Sequence, residues 1–162
     1  MSTSLCKPFF AAALAMLLLA GCATTPSPTS IAETAARTPQ LSTLNRLITQ
    51  AGLTETLRGA GPFTVFAPSD EAFKAVPAKT LADLGADKEL LRSVLTYHVV
   101  AGAMPASSVK NGNVKSVNGA NLAMSKAGTI LTVEDAVVVT ADVVATNGVI
   151  YVIDRVLLPP KR

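Results

Sequence analysis

The sequence predicts a single domain of the α+β class, a sheet with helices gathered at one side. Apolar residues recur at helical spacing through the first half of the folded region, and from Gly112 onward they fall into short runs separated by turn pairs. No internal repeat relates the halves, so a repeat architecture is excluded. A chain of 162 residues, 49% of them hydrophobic, has room for one domain of ordinary size and an ample core. The pattern leaves strand order open.

Part of the apolar share lies outside that domain. Phe9 to Ala20 is an uninterrupted apolar run with Lys7 just before it, the layout of an export signal. A membrane-spanning helix needs about 20 apolar residues, and this run is nearer a signal h-region in length. It ends in Leu19-Ala20-Gly21-Cys22, which resembles the bacterial lipobox, where small residues let the signal peptidase cut before a lipidated cysteine. Residues 1–21 therefore read as a cleaved signal peptide and Cys22 as the lipidation site. Cys6 leaves with the signal, and an acylated Cys22 forms no disulfide, so the domain must stand on packing alone. Ala23 follows the cysteine, and a residue other than Asp there directs such proteins to the outer membrane in Gram-negative bacteria. Residues 22–38 are rich in Thr, Ser, Pro and Ala and read as a flexible tether reaching about 20 to 25 Å.

The domain is expected over 39–162. Thr38-Pro39 suits an N-cap followed by proline, and Leu41, Leu44, Leu47, Ile48 and Ala51 form one helical face up to Gly52. A helical turn around Leu53 to Leu57 precedes the Gly59-Ala60-Gly61-Pro62 break, and Phe63 to Phe66 reads as a short buried strand. Ser69 caps a brief helix carrying Ala72 and Phe73, a helix through Leu81 and Leu84 stops at Gly85, and Asp87 caps another through Leu91, Val94, Leu95 and His98. Ile130–Val133, Val137–Val143 and Val149–Leu157 then read as strands of an antiparallel sheet. Asn111-Gly112, Asn118-Gly119 and Asn147-Gly148 supply the positive φ angles of tight hairpins.

The formal net charge is +3, and loss of Lys7 leaves +2 without any Lys/Arg cluster. Aromatic residues make up 4% of the chain, too few to build a base-stacking surface, so nucleic acid is not an expected partner. Basic charge does not hold the chain to a membrane either. Acyl chains on Cys22 would, since each buried methylene contributes roughly 0.8 kcal/mol.

Thr64-Val65-Phe66-Ala67-Pro68-Ser69-Asp70-Glu71-Ala72-Phe73 resembles the first signature block of fasciclin-like domains. Tyr97-His98 stands at the place of that family's Tyr-His pair, and Asn147-Gly148-Val149-Ile150-Tyr151-Val152-Ile153-Asp154-Arg155-Val156-Leu157-Leu158-Pro159 resembles the second block. The resemblance runs from about Pro39 to Pro159. It implies a wedge-shaped antiparallel β-sheet core with several packed helices, the two blocks lying near one another in that core. It also implies an extracellular or surface-attached module used in adhesion or ligand binding, its partner a protein or a polysaccharide, with no common enzymatic activity. Some relatives hold pigments or lipids. The excess of Val, Leu, Ala and Ile over aromatics therefore keeps a carrier of a small apolar ligand as the alternative.

His98 is the only histidine, and a general base or metal ligand needs partners the sequence does not supply. It reads as a buried neutral imidazole held by hydrogen bonds, and Tyr97, His98, Asn147 and Gly148 together read as structural motif residues. Ser69-Asp70 lacks a Gly-x-Ser-x-Gly elbow and sits where a helix cap is needed. The remaining acids fall mostly at helix starts, where they meet exposed N–H groups. Thr140-Ala141-Asp142-Val143-Val144 stands where some animal fasciclin domains carry an integrin-contacting Glu-Pro-Asp-Ile-Met motif. That makes Asp142 and Val143 candidate partner contacts, although Asp142 also suits a strand-ending turn. No catalytic, metal-binding or cofactor-binding residue is expected.

Overall fold

The computed structural model describes residues 29–160, so the expected signal peptide (1–21), Cys22 and residues 23–28 lie outside the described residues. Six helices, α1 (Ile31–Arg37), α2 (Ser42–Ala51), α3 (Thr54–Arg58), α4 (Asp70–Lys74), α5 (Ala78–Ala86) and α6 (Lys88–Tyr97), accompany seven strands. These are β1 (Phe63–Pro68), β2 (Val99–Ala101), β3 (Gly112–Lys115), β4 (Asn121–Ala127), β5 (Ile130–Val133), β6 (Ala136–Ala145) and β7 (Gly148–Ile153). The strands form one sheet in the order β2-β1-β7-β6-β5-β4-β3, an α+β arrangement as the sequence predicts.

The sheet is not wholly antiparallel. β1 pairs with β7 in parallel, Phe63 opposite Gly148 and Pro68 opposite Ile153, while every other named strand pair is antiparallel. Antiparallel neighbours need only a hairpin, whereas this central pair joins the first half of the domain to its end. A parallel pair is covered on both faces and reads as a continuous apolar run, which is why all six residues of β7 are buried. Val65, Ala67, Ile150 and Val152 pack into one apolar cluster with the helices. Phe66, Tyr151 and Ile153 pack into a second with Leu122, Met124, Leu131 and Val133 of β4 and β5. Phe66 and Tyr151, opposite each other in register, stack with ring centroids 5.6 Å apart.

Helix ends follow local chemistry. The Ser69 hydroxyl accepts from Ala72 N, Asp87 accepts from the N–H groups of Glu89 and Leu90, and Gly52 closes α2 in the left-handed region at φ 70°. The start of α2 differs from the expectation. Pro39–Leu41 forms a 3-10 turn, the Thr38 side chain makes no cap, and the α2 N-terminus is capped from outside. Asp70 of α4 accepts from Thr43 N at 2.8 Å and from the Ser42 hydroxyl at 2.7 Å, so the signature-block acid ties α4 to α2. Only three ion pairs occur among the described residues, all between exposed side chains, so packing and backbone pairing hold the fold together.

The reading of residues up to 38 as a flexible tether is corrected by α1. Ser30 caps it in a reciprocal box with Glu33, and Ile31, Ala32 and Ala35 are buried in the helical cluster. Alanine and threonine supplied too few large apolar groups to signal this helix, yet one isoleucine and two small faces suffice because they dock on a ready surface. The domain therefore begins at about Thr29, whose carbonyl accepts from Thr146 N at 3.0 Å.

Candidate functional site

The signature residues gather at three places along β1 and β7. The first is the β6–β7 turn. Ala145 pairs with Gly148, so the two loop residues are Thr146 and Asn147, and neither has a positive φ. Of the expected positive-φ pair only Gly148 (φ 157°) has one, and it already pairs as a strand residue, so the tight-turn role expected of Asn147 is corrected and the pair works differently. The Asn147 side-chain oxygen accepts from Ile31 N at 2.8 Å, and its amide donates to Leu57 O at 2.7 Å and Gly59 O at 2.9 Å. Its backbone carbonyl accepts from Phe63 N at 3.0 Å. One residue thereby fastens α1 and the end of α3 through its side chain and the start of β1 through its backbone. Gly148 is needed for close approach, because a Cβ there would lie 1.9 Å from Phe63 O and 2.9 Å from the Ile31 side chain.

The second is the Tyr97-His98 pair at the end of α6. His98 is buried, its Nδ1 2.8 Å from Val94 O and its Nε2 accepting from Leu157 N at 3.0 Å. Since a backbone N–H must donate to Nε2, the proton sits on Nδ1 and donates to Val94, leaving no lone pair free. Burial pushes the imidazole pKa down to about 4, against a smaller upward pull from the Val94 carbonyl. A neutral ring with both nitrogens engaged binds the segment after β7 to α6 and is closed to base or metal chemistry. Tyr97 points the other way. Its hydroxyl donates to Asn121 O at 3.2 Å and lies 3.4 Å from Glu134, and burial first, then Glu134, raises its pKa.

The third lies around Asp142, which sits inside β6 at φ 55°, within the register shift between Thr140 and Val143, rather than at a strand end. One carboxylate oxygen accepts from Ala106 N at 2.9 Å and lies 3.2 Å from the Tyr151 hydroxyl, which donates to Met104 O at 2.6 Å. Burial, and then the Asp142 charge, push that hydroxyl well above its ordinary pKa of 10. Asp142 thus serves as a latch between β6 and the loop after β2. Val143 is half-buried and packs against the helical cluster, while its neighbour Val144 is 76% exposed. Sequence reasoning missed Tyr151, Glu134 and Thr64. Thr64 is fully buried, donating to Gly102 O and accepting from Met104 N. A lone hydroxyl within the apolar run Phe63 to Phe66 was the available signal.

Two concave features accompany these residues. A crevice between α2–α3, α6 and the start of β1 is lined mainly by apolar groups, among them Leu44, Ile48, Leu57, Phe63 and Val99, and has a volume of about 40 Å³. A wider groove of about 880 Å³ runs between α2, α4 and β6–β7, with Arg46, Lys74, Asp70, Glu71, Asp154 and the exposed Val139 on its walls. No group of three or more His, Cys, Asp or Glu side chains is placed to hold a metal among the described residues.

Among known families, the model described as "Fasciclin domain" matches residues 39–159, which include both signature blocks and the Tyr-His pair. The chain belongs to the fasciclin domain family. Protein sll1483 of Synechocystis sp. is 45% identical over 140 residues, covering 85% of this chain and 78% of that protein. The cell surface glycolipoprotein MPB83 of Mycobacterium bovis is 40% identical over 137 residues, covering 82% of this chain and 61% of its own length. The FAS1 domain pair of the insect cell adhesion molecule fasciclin I matches with a TM-score of 0.61 at 23% identity, over 75% of this chain and 46% of that one. That likeness shows the fasciclin fold, and α1, which precedes the residues the family model matches, is docked onto it through Asn147.

Proposed function

We propose that this fasciclin domain is a non-catalytic binding or adhesion module of a bacterial cell envelope, anchored by acyl chains on Cys22 and sorted to an outer membrane. The observation that carries the reading is the 40% identity to a cell surface glycolipoprotein. The lipobox-like Leu19-Ala20-Gly21-Cys22 supports the anchor. The engaged ring of His98 supports a role without acid-base catalysis. Among the described residues no helix is long and apolar enough to cross a membrane.

The binding surface is the groove between α2, α4 and β6–β7, where both signs of charge surround an exposed valine, a lining suited to a peptide or polysaccharide. Cross-linking of the full chain on intact cells tests it. Partners captured by the wild type are expected to be lost from the paired variant Lys74→Glu, Val139→Lys at unchanged expression. Identical capture by both proteins removes the groove, and no capture by either removes the binding role.

Carriage of a small apolar ligand is the second reading, and the apolar crevice is what favours it. Its 40 Å³ is far below the roughly 150 Å³ of a dry cavity that admits benzene, so carriage requires α2 and α3 to part from β1. Native mass spectrometry of protein purified from its host decides: a bound lipid or pigment supports carriage, and a bare chain rejects it.

A further inference from the structure

The chain enters the domain at the β6–β7 turn, where Thr29 O accepts from Thr146 N and Ile31 N donates to Asn147. Six residues, 23–28, separate Thr29 from Cys22. Such a stretch spans about 25 Å when fully extended and roughly 15 Å on root-mean-square average. A domain of this size is roughly 35 Å across. An anchor at Cys22 therefore holds the turn end of the domain toward its membrane, and α1, clamped by Asn147, stops the tether from lengthening at the domain's expense.

That end has a surface suited to the position. Beside the turn lies a shallow hollow lined by Ala60, Pro62, Ala103, Val144 and Thr146, with no charged side chain on its walls. Ala60, Pro62, Ala103 and Val144 are exposed, and Ala101, paired with Phe63 next to Pro62, extends the apolar area. A single exposed apolar residue is ordinary, but here five of them from three separate segments meet where the anchored chain arrives. The geometry points to this end, Ala60, Pro62, Ala101, Ala103 and Val144, as a face that rests on the lipid surface. The inference builds on the acyl anchor at Cys22 proposed above. It places the Lys74 and Val139 groove, beyond the far end of β1, away from the lipid and open to partners.

The test uses the full chain, processed and acylated in its host, then reconstituted into vesicles of phosphatidylethanolamine and phosphatidylglycerol carrying nitroxide lipids. With Cys6 removed and Cys22 acylated, a Val144→Cys or Lys74→Cys variant offers one thiol for a fluorescent label. The label at position 144 is expected to be quenched several-fold more than the label at position 74. Equal quenching in chains that float with the vesicles overturns the lipid-facing assignment and leaves the anchor standing. Failure to float overturns the anchor, and this inference with it.

Discussion

Single residues carry several of the domain's long-range ties, and two of them titrate in distinguishable ways. His98 has a folded pKa of about 4 against an ordinary 6.5, so between those values the unfolded chain binds the proton and the native one does not. Its contribution is complete above pH 6.5 and is lost as pH falls toward 4, at about 1.4 kcal/mol per unit and about 3 kcal/mol in all. Urea midpoints across that range should fall in the wild type and flatten in His98→Gln, which keeps a donor and an acceptor. An unchanged slope in the variant would contradict the buried neutral ring. Asp70 acts lower. Burial would raise its pKa, but hydrogen bonds from Thr43 and Ser42 outweigh that and hold it below the usual 3.8. Its stabilisation is present above pH 3.8 and lost only as pH falls through the lower folded value. Asp70→Ala removes the α2 cap and should cost about 1 to 2 kcal/mol at neutral pH, read from the same midpoints. Gly148→Ala should leave no folded domain by circular dichroism, because the methyl group would collide first with the Phe63 backbone, which cannot swing aside as the Ile31 side chain can.

At the scale of elements, α1 separates what pattern reveals from what docking decides. The helices of the first half announced themselves through leucines at helical spacing, and the caps Ser69 and Asp87 sat where their chemistry required. β6 and β7 were legible as valine- and isoleucine-rich runs, yet the parallel pairing of β7 with β1 was not, since register between distant segments leaves no local mark. α1 was hidden because the Ser30-to-Glu33 capping box was its one local mark, overlooked in a Thr- and Ala-rich stretch, while its docking depends on Asn147 and the surface beneath Ile31. The motif residues were found, but Asn147 was assigned to turn geometry when its work is to satisfy three backbone groups of other elements. A fragment of 39–162 should therefore be less stable than 29–162, and Ile31→Ala alone should cost about 2 to 4 kcal/mol in denaturant unfolding. Equal stability of the two fragments would return residues 29–38 to the tether.

For the whole molecule, the two signature blocks are adjacent strands that face both apolar clusters, which explains why their residues are those a resemblance detects. They describe how the domain is built, while the address proposed for it rests on residues 19–22 and its proposed partner on surfaces that motif reading does not reach. On the proposed reading, acyl chains on Cys22 hold this fasciclin domain at a membrane, and intact and peptide mass spectrometry of the mature protein from the membrane fraction decides the point. The expected N-terminal peptide starts at Cys22 and carries the mass of the attached acyl chains. A mature chain that starts elsewhere, or an unmodified Cys22, would overturn the anchor.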